Sequence, residues 1–307
     1  VFAFCLVMAR ISNLALTCVD YVLFIQSEDG ILDLVRSRGL GDVDKGQYVD
    51  IKEPSTWSYF KNDGLLMFGG IKHAYSRPLQ WKKKDWLTAS GIVVGTAALN
   101  LIDDDAYYYF TKQEKKIPSL VKDFGWYFGS PQNNYGVTGS IYLYGLFTKN
   151  TKIRKTGILM ISSASAAGLI QTFSKTIAGR ARPTGENKLS FNPFSNEPKY
   201  HSFPSGHTIL SFTTFYALSK QFENPWIKAG FYTVGLISPI SRLWHGAHWL
   251  TDVALSMAIT IVVVDSIDNY LDKEMGENPL SKIKKDKNKI SWSFKVGAGS
   301  FGLMGNF

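Results

Sequence analysis

From about residue 85 onward the chain alternates apolar stretches with polar connections, and the apolar positions recur with helical rather than strand periodicity. The stretches are 86–102, a short amphipathic segment at 117–127, then 135–147, 157–173, 208–218, 227–240 and 253–267. Pro, Gly, Asn or charged clusters separate them, as at helix boundaries. Residues 85–270 are therefore predicted to form an all-α body, a helical bundle of about six core helices. Ahead of it, residues 26–84 mix polar residues with scattered Gly, Asp and Pro, which predicts loops and one or two short helices packed on the bundle. Residues 1–25 open with an apolar run, Val1–Ala9, that fits either the end of a secretory leader or a short buried segment. Residues 271–307 comprise a Lys-rich linker and a tail, Ile290–Phe307, in which Ser, Gly and aromatic residues loosely alternate. The tail reads as short and β-like: a Gly-rich edge strand or a loose end, with a weak likeness to the closing strand of an outer-membrane barrel that nothing upstream completes.

The helices pose a membrane question. A span takes about 20 apolar residues; these stretches are shorter and include Asn100 and Gln171, so a soluble bundle fits them equally well. The charge distribution argues for spans. If 86–102, 135–147, 157–173, 208–222, 227–240 and 253–267 all cross, then Lys82–Lys84, the Lys149-to-Lys155 loop and the Lys282-to-Lys289 run share one face. The positive-inside rule makes that face cytoplasmic, and segments 175–207 and 242–248 fall together on the other side. Composition leaves both readings open: 45% hydrophobic and 14% aromatic residues in 307 allow a large core, while the mean hydropathy of −0.05 lies between soluble enzymes and multi-span proteins. The excess of 34 basic over 25 acidic residues, +9, suits nucleic acid, anionic lipid or a phosphorylated substrate. No nucleic-acid module or base-stacking arrangement of aromatics is present, so nucleic acid is not an expected partner. Cys5 and Cys18 are the two cysteines, which leaves the chain after residue 18 without a disulfide or a cysteine metal site.

Candidate chemistry is confined to three segments. In the first, Lys175 and Arg182-Pro183 are separated by about two helical turns, so two cations share a face near a helix end. Arg offers a planar fork to phosphate oxygens and Lys a point charge. In the second, Pro204-Ser205-Gly206-His207 precedes the apolar run TILSFTTFYAL and reads as a helix start. Free N–H groups of the first turn suit an anion, Gly206 permits close approach, and Ser205 adds a hydroxyl. In the third, Ser241-Arg242 precedes His248 and Asp252, a pair at helical i, i+4 spacing. The carboxylate can take one imidazole N–H and leave the other nitrogen's lone pair free for attack. Taken singly, each segment also fits a solvated helix end, a plain cap or a surface hydrogen bond.

Together the segments read K-x6-R-P, P-S-G-H and S-R-x5-H-x3-D, and in this the chain resembles the type 2 phosphatidic acid phosphatase superfamily. That superfamily includes lipid phosphate phosphatases, bacterial class A acid phosphatases and vanadium haloperoxidases. About fifteen positions carry the resemblance; residues 1–80 and the tail lie outside it. It implies the acid phosphatase/vanadium haloperoxidase helical fold and a metal-independent phosphatase. Lys175, Arg182 and Arg242 would hold the phosphate, assisted by Ser205 and Gly206. His248 would attack phosphorus and form a phosphohistidine, Asp252 would orient it, and His207 would protonate the leaving oxygen. No metal or cofactor is implied, vanadate being an inhibitor or, in the haloperoxidase branch, a prosthetic group.

The expected substrate is a phosphomonoester or pyrophosphate of a lipid, met in a bacterial-type envelope with the site facing away from the cytoplasm. The competing expectations are a soluble periplasmic acid phosphatase of broad specificity, a vanadate-dependent haloperoxidase and a non-catalytic envelope protein. Specificity is expected from the rim: residues 184–203, with Asn187, Lys188, Asn192, Lys199 and Tyr200, the 103–134 connection and the N-terminal region. His201 and His245 are read as rim or supporting residues and His73 as unrelated.

Overall fold

The computed structural model describes residues 54–184 and 187–276 together with two strands, 291–297 and 300–306. The leader reading of residues 1–25 and the Lys282-to-Lys289 cluster lie outside these. Nine α-helices are described: α1 Thr56–Ser76, α2 Lys83–Leu99, α3 Asp103–Gln113, α4 Ser119–Phe128, α5 Pro131–Phe147, α6 Thr151–Ala178, α7 Gly206–Ser219, α8 Pro225–Trp244 and α9 Leu250–Gly276. The strands β1 Ser291–Gly297 and β2 Ser300–Asn306 pair antiparallel as a hairpin, with Trp292 opposite Gly305 and Lys295 opposite Gly302. The tail is thus a hairpin rather than one edge strand. Among the described residues the body is all-α, as the periodicity predicts.

Helix starts follow from local chemistry. Asn150 caps α6 by accepting from the Ile153 N–H, and Asn224 caps α8 by accepting from Trp226 N–H with Pro225 at the first helical position. The end of α6 is set by Gly179, whose φ of 56° lies in the left-handed region. A Cβ there would stand 2.0 Å from the Asn192 carbonyl oxygen, so no other residue fits without moving the 187–200 loop.

The central element is α6, whose Ile158, Leu159, Met160, Ala166 and Ala167 are fully buried. Around it pack α5 through Tyr142 and Leu146, α7 through Ile209 and Ala217, α9 through Val263, Val264, Ile267 and Leu271, and α1 through Leu66. The α5–α6 contact is antiparallel and close: Cβ atoms built on Gly145 and Gly157 would lie 2.5 Å from Arg154 N and 2.6 Å from Tyr142 Cα. From α6 to α9 successive helices reverse direction, which gathers the C-termini of α6 and α8 and the N-termini of α7 and α9 at one end. At the other end Arg154 Nε pairs with Asp63 at 2.9 Å, Tyr142 donates to Asp63 at 3.2 Å, and Lys155 pairs with Asp268 and Asp272.

Residues 56–76 depart from the short helices and loops expected there. They form one 21-residue helix, which packs on the bundle as expected of this region. Its apolar face, Tyr59, Leu66, Met67, Ile71 and Ala74, packs on the core but is interrupted in sequence by Gly64, Gly69 and Gly70, which hides the periodicity. Similarly, α3 begins with three aspartates, and its first residue, Asp103, is fully buried.

The α5–α6 contact supplies a stability test. Gly157→Leu should lower the thermal unfolding midpoint in detergent, overpacking of this kind costing about 1–3 kcal/mol. Gly168→Ala, where a new Cβ meets nothing within 4 Å, should leave it unchanged or raise it.

Candidate active site

The three sequence segments meet at the end of the bundle formed by the C-termini of α6 and α8 and the N-termini of α7 and α9. What joins them is the short stretch His201-Ser202, of which the sequence reading named His201 as a rim or supporting residue and left Ser202 unnamed. The His201 carbonyl accepts from Lys175 Nζ at 2.9 Å and from Arg182 Nη2 at 3.3 Å, so two cations share one acceptor. Arg182 is held further by the carbonyls of Pro198 and Ala247, at 3.1 and 2.9 Å. These neutral acceptors fix the guanidinium without consuming its charge. The His201 ring faces elsewhere, bonded to the Ser195 carbonyl at 2.8 Å.

His248 is buried, and its Nδ1 stands 2.7 Å from the Ser202 carbonyl oxygen. A carbonyl only accepts, so Nδ1 carries the proton and Nε2 keeps its lone pair. The expected direct bond to Asp252 is longer: Nδ1 lies 3.6 Å from Asp252 Oδ2. The carboxylate instead accepts from Ser202 Oγ and from the Trp249 N–H at 2.9 Å. Asp252 thereby holds the residue whose carbonyl orients the imidazole and lies beside that ring as a negative charge. The Trp249 bond also makes Asp252 the third-residue arm of a cap on α9, so one side chain starts the helix and braces the site.

At the head of α7, Ser205 Oγ accepts from Thr208 Oγ1 at 3.0 Å, which leaves its own hydrogen free to donate. Its backbone N–H donates to Ser256 Oγ at 2.7 Å, fixing the α7 start against α9. His207 follows in the first turn, and its Nε2 is buried without a hydrogen-bond partner among the described residues. Burial, then Arg242, His248, Lys175 and Arg182 together hold the His207 ring down to about 3. Burial chiefly holds His248 down to about 4, against the opposing pull of Asp252. Both imidazoles are therefore neutral at pH 7 in the free protein.

Arg242 is 1% exposed; its guanidinium lies 4.6 Å from the Trp126 ring centroid and donates to Ser241 Oγ. Trp126 also meets the His207 ring, at 5.2 Å between centroids. It sits on α4, inside the 103–134 connection named as rim, and is the clearest functional candidate that sequence left unnamed; Trp in an amphipathic turn gives no signal by itself. The close fit of α4 comes from Gly125 and Gly129, where a Cβ would stand 2.5 Å from Ser241 Oγ and 2.7 Å from His207 Cβ. Arg180 and Asp103 are further unnamed residues: Arg180 lies between the two named cations yet spends its guanidinium on Asp252 and Asp103. His245 bonds the Ser241 carbonyl at 2.8 Å, on the rim as read, and His73 stacks on Tyr270 away from the site. Lys188 pairs with Asp104 and Lys199 with Glu197, so these rim lysines are engaged by protein carboxylates. Among the described residues, no group of three His, Cys, Asp or Glu side chains stands where it could hold a metal ion.

Residues 156–269 match the PAP2 superfamily, a span that contains all three segments. The chain is 26% identical over 198 residues to a lipid A 1-phosphatase of Rhizobium etli, covering 59% of this chain and 81% of that protein. It is 30% identical over 112 residues to a lipid A 1-phosphatase of Porphyromonas gingivalis, 35% of this chain but 22% of that longer protein. Among solved structures, Aquifex aeolicus LpxE aligns over 52% of this chain and 93% of its own, with 21% identity and a TM-score of 0.37.

Replacing Trp126 by Ala should weaken binding of inorganic phosphate. Losing the ring against Arg242 is worth roughly 0.5–2 kcal/mol, or about 2- to 30-fold in an inhibition constant, and competition assays against a soluble ester would read it.

Proposed function

We propose that this chain, which belongs to the PAP2 superfamily, is a phosphatase that removes phosphate from a lipid through a covalent phosphohistidine. The observation that carries the mechanism is the state of His248: its Nδ1 proton is committed to the Ser202 carbonyl, and Nε2 is left as a nucleophile. Lys175, Arg182 and Arg242 would take the non-bridging oxygens, with the Ser205 hydroxyl and the α7 N–H groups completing the cradle. His248 Nε2 attacks phosphorus, and the bond from phosphorus to the leaving oxygen breaks as His207 gives that oxygen its proton. Water, activated by the now neutral His207, then attacks phosphorus and releases phosphate and free His248. Burial and the surrounding cations keep His207 neutral in the free protein; a phosphate dianion bound among the cations would offset their part and attract a proton to His207, so substrate itself would favour the protonated form the step requires.

A lipid substrate is supported by the lipid A 1-phosphatase activity of the relatives and by the surface. Three helical segments, Lys83–Lys116, Thr151–Ala178 and Leu250–Gly276, are long and apolar enough to cross a membrane. Beside Lys175, the residues Leu169, Phe173 and Ile177 form an outward apolar stripe along α6, 48–66% exposed. The phosphate of a lipid A-type sugar headgroup is the first candidate, ahead of phosphatidate or a polyprenyl pyrophosphate. A soluble periplasmic phosphatase leaves this stripe unexplained. We place the protein in a bacterial envelope membrane with the site extracytoplasmic. Lys149, Lys152 and Lys155, at the end away from the site, favour that orientation, whereas Lys112, Lys115, Lys116 and Lys122 in the connection leading to Trp126 weaken the sorting read from the sequence.

The deciding experiment is a phosphate-release panel of lipid and soluble phosphates with His248→Ala beside the parent. The expected outcome is release strongest on lipid phosphates, abolished in the variant, inhibited by vanadate and unaffected by chelators. Activity retained in His248→Ala would overturn the mechanism. Proton linkage gives a second check: at pH 6 free phosphate is mainly the monoanion, so titrating it in buffers of differing ionisation enthalpy should show almost no net proton release, the proton lost as the dianion binds being taken up by His207; release of about one proton per phosphate would mean that His207 stays neutral. For orientation, Asn196→Cys in a Cys5→Ser, Cys18→Ser background should react with a membrane-impermeant maleimide on intact cells.

A further inference from the structure

The segment Lys83–Lys116 crosses from α2 into α3 with almost nothing buried. Of its residues, Asp103 alone is fully buried. That carboxylate receives four hydrogen bonds: Arg180 Nη2 at 2.8 Å, Thr251 N–H at 3.0 Å, Thr251 Oγ1 at 2.6 Å and Asn100 Nδ2 at 3.2 Å. Arg180, 3% exposed, turns its Nη1 to Asp252 Oδ1 at 2.7 Å and its Nε to the Lys188 carbonyl at 3.2 Å. An apolar outer arm is thus fastened beside the site by a buried acid, and from that acid a continuous line runs Asp103–Arg180–Asp252–Ser202–His248.

We propose that Asp103 and Arg180 are positioning residues for the nucleophile, and that through them the α2–α3 arm is coupled to His248. This rests on the phosphohistidine reading above. With its guanidinium nitrogens bonded to Asp103, Asp252 and the Lys188 carbonyl, Arg180 has no fork left for phosphate, despite lying between Lys175 and Arg182. Its effect is on charge. Arg180 alone would neutralise Asp252; Asp103 restores one net negative charge to the triplet. When His248 Nε2 bonds phosphorus the ring becomes cationic, and a net-negative triplet behind Ser202 stabilises that form. The other ionisable groups around His248 are Lys175, Arg182 and His207, with Arg242 beyond His207, and none of these side chains is replaced in the variants below.

The test is the pH dependence of kcat/KM for the full chain in detergent, on p-nitrophenyl phosphate and on a lipid phosphate. Asp103→Asn removes a negative charge and should move the acid limb to lower pH; Arg180→Gln removes a positive charge and should move it to higher pH, each by roughly half to one unit. The double variant, again net negative by one, should return the limb to the parent position. In each single variant kcat should fall roughly 10- to 100-fold on both substrates while KM stays within about threefold. Arg180→Lys should keep the parent limb, and Thr251→Val, which changes no charge, should lower kcat without moving it, so the pair stays testable if Asp103→Asn does not fold. Limbs that move the same way, or not at all, reduce the network to a structural one and overturn the proposal. A rise in KM with kcat intact makes Arg180 a phosphate ligand, and a loss confined to the lipid makes the arm a substrate surface; either overturns it too. The phosphohistidine reading fails separately, through activity in His248→Ala.

Discussion

Three cations forced to one end of a helical bundle repel one another, and the rest of the site is arranged around holding them there. Lys175 and Arg182 are tethered by carbonyl oxygens of His201, Pro198 and Ala247, and Arg242 by an aromatic face and a hydroxyl. Each of these partners is neutral. The carboxylates in reach, Asp252 and Asp103, are bound instead to Arg180, which does not face the phosphate position. Positive potential is thereby kept concentrated for an anion, at a cost in self-repulsion that an anion relieves. Burial first, and this cationic field in addition, keep the two imidazoles neutral.

Fold and chemistry are hard to separate here. Asp252 caps α9, fixes Ser202 and faces His248; Gly179 ends α6 at the point where Arg180 and Arg182 must turn in opposite directions. The loop from 195 to 206 has little regular structure, yet its carbonyls set the position of both Lys175 and His248. Such backbone service is independent of side-chain identity.

That independence explains what the sequence revealed and what it withheld. Helices with long apolar runs, α2 and α5 to α9, were legible, and the cations and imidazoles proposed for phosphate chemistry could be singled out because that chemistry depends on residue type at fixed spacing. α1 was not, because Lys, Asn, Asp, Gly and His are interspersed among its apolar positions; of its glycines, Gly69 and Gly70 are where Tyr270 and Ile267 pack. Ser202 was invisible because its carbonyl is what contacts His248. Arg180 was read past because a third cation beside Lys175 and Arg182 looks like one more phosphate ligand; only its buried carboxylate partners show otherwise. Trp126 was unreadable because its role depends on α4 lying against α7 and α8, a contact made by two glycines.

The two polar ends of α6 set a length. Arg154 is locked into the Asp63 pair and Lys175 into the phosphate cradle, 21 residues apart on one continuous helix, or about 32 Å at 1.5 Å per residue. A bilayer's hydrocarbon layer is about 30 Å thick. A chain seated with both polar layers at the hydrocarbon boundaries has a fixed depth, with the nucleophile level with lipid headgroups. A headgroup phosphate would then arrive at His248 by lateral diffusion alone, without being lifted from its leaflet. Membrane thickness becomes a determinant of access: a thicker bilayer would draw the cradle below the headgroups and a thinner one would raise it above them.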